Sequence, residues 1–210
     1  MSILEQLASA HNRRDEDLNQ QLAQTLVSRT DEAVQEDIQE LVDNLKSKNA
    51  NIRHNCIKVL YEVGYIKPAL IDIYVSEFVS ILSHKDNRMV WGGMTTLGSI
   101  TSNKPHEVWS HVDTIIKTTA NGSVITQDWG IRVLATLSAT KQDYSDYVYP
   151  FMLEFLSQCK PKDVPRHAES ILIGTSTTEK KEALKQVLEK HIPDLNPSQT
   201  KRVLKVLKQL

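Results

Sequence analysis

Two cysteines, Cys56 and Cys159, are too few and too far apart for a disulfide framework or a zinc ligand set. Seven glycines, with Gly92-Gly93 the one adjacent pair, leave no Gly-rich phosphate loop. No apolar run approaches the roughly 18 residues that a membrane span requires. A formal net charge of −1 withholds the global basic field expected of a nucleic-acid binder. HExxH and Ser/His/Asp signatures are missing, and His106 and His111, at i, i+5, do not share a helix face. No catalytic residue, cofactor or metal is therefore expected. The start, MSILEQLASAHNRR, carries Glu5 and lacks the apolar stretch of a signal peptide, so a cytoplasmic, reducing setting is the expectation, with no membrane contact.

What the chain does have is a period. Apolar residues at 40% and charged residues at 24% suit a folded protein, and they recur at a spacing of 37. Leu60, Leu97 and Leu134 share one register; Ile57, Met94, Ile131 and Ala168 share another. Leu41, Phe78, Ile115 and Met152 repeat likewise, and so do Pro68 and Pro105. A fixed period in this range marks stacked helical units that bury little alone. The fold predicted is all-α: a right-handed α-α superhelix, or solenoid, of about six helix pairs and no β-sheet.

Turn residues divide the chain into a single array over 1–210. Residues 1–30 form an N-terminal capping pair, 31–66, 67–103, 104–141 and 142–176 form central repeats, and 177–210 form a C-terminal capping pair. Asp31 or Glu32 is expected to open a helix, Asn51 to cap one from Ile52, Asp86 or Asn87 one through Ile100, and Asp163 one from Val164. Pro68 suits the first turn of a helix reaching Leu82, whereas Pro150 falls inside one and should bend it. Asn196-Pro197-Ser198-Gln199 reads as a capping box. Charge is uneven: residues 1–46 hold ten acids against four bases, and residues 179–210 hold eight bases against four acids. Two polar caps explain this; a basic contact patch at the C-terminal end is the functional alternative.

The second helices IRHNCIKVLYEV, MVWGGMTTLGSI and TQDWGIRVLATL resemble the HEAT-repeat pattern, with Ile52-Arg53 at its Val-Arg pair and Leu97-Gly98-Ser99-Ile100 at its closing tetrad. Arg53 gives way to Val90 and Gln127, so the family's Arg ladder is expected to be broken. The resemblance implies an armadillo-like α-solenoid whose second helices line a concave surface. It implies little about function, because HEAT arrays serve as scaffolds, adaptors and enzymes.

On a helix, Cys56, Ile57, Leu60 and Val63 cluster on one face, which directs positions 54, 55, 58, 61 and 62 outward. Carrying those slots forward gives a candidate concave groove: His54, Lys58, Tyr61, Trp91, Gly92, Asp128, Trp129, Arg132 and Arg166, with Glu62, Thr95 and Glu169 beside them. Two Trp on the polar side of their helices invite a ligand, although packing on a neighbouring repeat is the commoner fate of Trp. Gly92 lies in the slot that Trp129 fills one repeat later, and a mid-helix Gly costs about 1 kcal/mol. A ligand or partner backbone approaching closely would account for it.

Trp109-Ser-His-Val-Asp113 is similar to the Trp-x-x-Val-Asp segment of HEAT-like alkylpurine DNA glycosylases, and Trp129-Gly-Ile-Arg132 to their later Trp-x-x-Arg. That similarity implies Trp109 and Asp113 as site residues for a damaged base. The two segments lie about one helix too close, and the basic footprint for DNA is missing. The reading adopted is a non-enzymatic scaffold or adaptor for another protein or a peptide, monomeric or weakly self-associating. A DNA-binding protein of the alkylation-repair type is the alternative.

Overall fold

A computed structural model describes residues 2–11, 17–31 and 33–210. Among them are twelve α-helices, seven 3-10 turns and no strand. The chain forms two compact units, Met1–Thr114 and Ile115–Leu210.

In the first unit the helices are α1 (Asp17–Ser28), α2 (Ala33–Asp43), α3 (Ala50–Ile66), α4 (Val75–Ser80), α5 (Asn87–Ile100) and α6 (Pro105–Trp109). Helix α3 lies between α1 and α5 and also packs on α2. Its core is the periodic apolar set: Leu41, Cys56, Ile57, Leu60, Phe78, Met94 and Leu97 are wholly buried. Before α1 the chain makes two 3-10 turns, Ile3–Gln6 and Ala8–His11, where sequence suggested a regular helix. Residues 12–16, within the expected N-terminal capping pair, and Glu32, one of the two residues expected to open the next helix, lie outside the described residues. The helix expected from Pro68 to Leu82 is broken into the 3-10 turns Pro68–Leu70 and Asp72–Tyr74, α4, and the 3-10 turn Ile81–Ser83. β-Branched Ile71, Ile73 and Val75 weaken the helix there. The pieces are tied back by Tyr74, whose hydroxyl donates to Gln39 (3.0 Å), and by Asn103, whose amide donates to Asp72 (2.9 Å).

Capping sets the boundaries. Asn49, not Asn51, caps α3: it is extended, and its side chain accepts from the Asn51 amide at 2.9 Å. Asp86 caps α5 as expected, accepting from the Arg88 amide at 2.9 Å.

The second unit contains α7 (Val112–Asn121, which straddles the boundary), α8 (Val124–Thr140), α9 (Gln142–Gln158), α10 (Val164–Leu172), α11 (Thr178–His191) and α12 (Pro197–Leu207). Helix α10 packs between α8 and α12, while α9 packs on α8 and α11. Helix α9 runs through Pro150 without interruption; the proline is exposed, so solvent can satisfy the carbonyl that it leaves unpaired. Asp163 precedes α10 but makes no capping bond, because its own backbone is already helical. The capping box at α12 is complete: Asn196 accepts from the Gln199 amide (3.0 Å), and the Gln199 side chain accepts from the Asn196 amide (2.8 Å).

Candidate interaction surface

The second helices carry the candidate residues, and their neighbours decide what each side chain meets. Helix α3 is flanked on both sides as well as beneath, so its buried face is wide: every residue from Cys56 to Tyr61 is buried. The outward placement inferred for Lys58 and Tyr61 is overturned; they are 4% and 6% exposed. Lys58 Nζ lies 2.7 Å from Glu62 Oε1 and 4.9 Å above the Tyr61 ring. Burial opposes the Lys58 charge, but the hydrogen bonds to Glu62 and Tyr61 overcome it and hold the ammonium above the ordinary lysine range.

His54 binds the Asp86 carboxylate, the residue that caps α5, so it joins one repeat to the next. Burial favours the neutral form of Asp86, yet the bonds from His54 and the Arg88 amide keep its carboxyl below the usual range. Arg53 donates to the carbonyls of Ser47 (2.7 Å) and Lys48 (3.1 Å), the turn preceding its own helix.

Gly92 is corrected in the same way. A methyl group built on it would stand 2.6 Å from Ile57 Cγ1 and 3.2 Å from Ile57 Cγ2. Its smallness lets α5 approach α3, and no ligand is needed to explain it. Gly93 is likewise a packing glycine, with Ile81 Cγ1 at 2.7 Å from the equivalent point. Trp91 stays half-buried, its ring 5.7 Å from that of Tyr61. Thr95 is buried and returns its hydroxyl to the Trp91 carbonyl at 2.8 Å. In this unit the candidate slots are filled by the protein's own side chains.

The face of α8, α10 and α12 is more open. Arg132 is exposed and sits 5.4 Å from the ring centroid of half-buried Trp129, a cation–π arrangement. Asp128 pairs with Arg166 across α8 and α10. Glu169 pairs with Arg202 across α10 and α12, through bonds of 2.9 and 2.7 Å. The Arg202 bond holds the Glu169 carboxyl below its ordinary range and raises Arg202 in turn. Sequence reasoning missed Arg202, which stands 36 residues after Arg166, because the candidate slots were carried forward only as far as Arg166 and Glu169.

His167, also missed, lies beneath this face at 2% exposure, its Nε2 3.8 Å from Asp128 Oδ1. Burial lowers its pKa to about 4. The imidazole is therefore neutral at pH 7 and forms no ion pair; the Asp128 charge is met by Arg166. His167 also borders an open cleft of about 690 Å³ lined by Phe151, Phe155, Cys159 and Lys162. Burial pushes the Cys159 thiol up to about 11, so thiol and imidazole are both neutral, the reverse of an activated thiolate pair.

Trp109 and Asp113 do not share a helix. Trp109 ends α6, and Asp113 lies exposed in the first turn of α7, with Ser110 and His111 between the helices. Among the described residues no group of three or more His, Cys, Asp or Glu could hold a metal ion, and no helix is long and apolar enough to cross a membrane.

Layers of paired helices related by a repeat of about 37 residues define an α-helical repeat protein with an armadillo/HEAT-like fold. No protein-family model and no curated protein sequence matches the chain. Solved structures do. A designed armadillo repeat protein in complex with the peptide (KR)4 superposes with a TM-score of 0.69 at 12% identity, covering 99% of this chain and 97% of that one. A computationally designed armadillo repeat protein for modular peptide recognition gives 0.66 at 14% identity, covering 99% and 98%. An engineered protein gives 0.67 at 15% identity, covering 100% and 96%. At these identities the likeness is one of fold.

Proposed function

We propose that this protein is a non-enzymatic scaffold that binds a peptide or a segment of another protein across the exposed face of α8, α10 and α12. The observation that carries this reading is the ladder Trp129–Arg132, Asp128–Arg166 and Glu169–Arg202. It holds aromatic and charged groups at the surface of three adjacent rigid helices. Groups fixed in this way lose little conformational freedom on binding, which favours recognition of an extended segment. Two structural neighbours point the same way, one seen with a bound peptide and one designed for peptide recognition. Acids interleave with the bases on this face, which disfavours duplex DNA as the partner.

Selection of a displayed random-peptide library against the whole chain tests the proposal. Selected peptides should bind at micromolar Kd or tighter and lose at least about tenfold in affinity to Trp129→Ala/Arg132→Ala. Peptides that bind that variant as well as the parent, or a selection that yields none, would refute it.

A further inference from the structure

We propose a second interaction surface: the outer groove of α12 docks an acidic amphipathic helix of a partner protein. Val203 and Val206 turn inward from α12 and are buried. The next face of the helix presents Pro197, Thr200, Lys201, Leu204, Lys205 and Lys208, which with Leu195 line an open groove of about 510 Å³. Leu204 is 45% exposed at its centre. No acid lines the groove, and none of the three lysines makes an ion pair among the described residues. Their neighbours on the ladder differ: Arg166 and Arg202 are already neutralised by Asp128 and Glu169.

The arrangement specifies its occupant. Pro197, Lys201, Leu204 and Lys208 follow i, i+4, i+7, i+11 spacing, the stripe that a second helix packs along. An apolar side chain would cover Leu204 and Leu195, and carboxylates on either side would meet Lys201, Lys205 and Lys208. Three lysines are fewer than the roughly 4–8 basic residues of a lipid-binding cluster. They are also fewer than the roughly 6–10 phosphate contacts of a salt-sensitive DNA binder. The apolar centre suits a protein side chain better than either.

The test is fluorescence anisotropy on the full chain at low and physiological salt. The probe is a labelled synthetic helix with Leu along one stripe and Glu on both flanks. Controls are the same peptide with Lys for Glu and a scrambled peptide of equal composition. Saturable binding of the acidic helix alone, weakening as salt rises, is expected. Lys201→Glu/Lys208→Glu should reduce affinity at least about tenfold, and Leu204→Asn at least about threefold. Lys201, Leu204 and Lys208 belong to none of the pairs Trp129–Arg132, Asp128–Arg166 and Glu169–Arg202, so peptides selected on the α8–α10–α12 ladder should bind the variants unchanged; the two surfaces thus fail or succeed separately. Binding of the Lys peptide or the scrambled peptide equal to that of the acidic helix overturns the proposal. So does unchanged affinity in the double variant, no binding at low salt, or tighter binding of phosphatidylserine vesicles or duplex DNA.

Discussion

Replacing Gly92 with Ala separates a packing glycine from a ligand-binding one. Helix propensity alone favours the substitution by about 1 kcal/mol. Against this, the new methyl would lie 2.6 Å from Ile57 Cγ1, whereas carbon atoms prefer about 3.5–4.0 Å. Ile57 is wholly buried, so it yields only by leaving its rotamer or by letting α5 retreat from α3. Overpacking of this kind costs about 1–3 kcal/mol. The net expectation is a loss of about 1 kcal/mol. Shortening Ile57 to Ala on its own should cost about 2–5 kcal/mol. In that background the nearest remaining Ile57 atom would be Cβ at 3.5 Å, an ordinary contact, so Gly92→Ala should become stabilising by about 0.5–1 kcal/mol, a coupling of roughly 2 kcal/mol. Hydrogen exchange of α3 and α5, followed by mass spectrometry, reads the local change without requiring the whole array to unfold in one step. In the parent background the most protected amides should exchange about fivefold faster. If Gly92→Ala slows exchange there, or the two substitutions simply add, the packing argument is wrong.

Burial of neutral His167 makes stability pH-dependent. The unfolded chain takes up its proton near pH 6.5 and the folded chain only near 4, so the protein is fully stable above that window and weakens as pH falls through it. About 2 kcal/mol should be lost between pH 7 and 5 from this group, and His167→Leu should flatten that part of the stability profile measured by urea titration. Asn196→Ala removes the capping side chain of α12 and should cost about 1 kcal/mol, seen as faster exchange of the amides in its first turn. Cys56, wholly buried with its thiol pushed up to about 12, should resist a thiol reagent at pH 8 until the chain is unfolded in denaturant; modification of the native protein within minutes would contradict that burial.

Much of the fold was legible because a periodic sequence states its core many times over. Leu41, Phe78 and Met152, or Leu60, Leu97 and Leu134, each occupy one slot in successive repeats, and those named here are all buried. The capping box at Asn196 was equally readable, since it depends on residues three apart. Less regular segments were harder: the chain after Pro68 has helical spacing but breaks into short turns, because β-branched residues and tertiary contacts together outweigh a weak local preference.

The candidate surface divides along the same line. Sequence by itself determined which face of each second helix meets its own repeat, because a 3.6-residue period locates an apolar stripe. Only the tertiary structure decided how much of the remaining arc stays open. Helix α3 is enclosed by α1 and α5, so Lys58, Tyr61 and the contact point at Gly92 are covered from the sides by groups that the helical wheel cannot see. On α8 and α10, Arg132 and Arg166 remain exposed, and the partners Asp128–Arg166 and Glu169–Arg202 come from positions 38 and 33 residues apart. Long side chains reach across a range of offsets, so periodicity sets the helix to which each belongs, and packing between helices selects the partner that it meets.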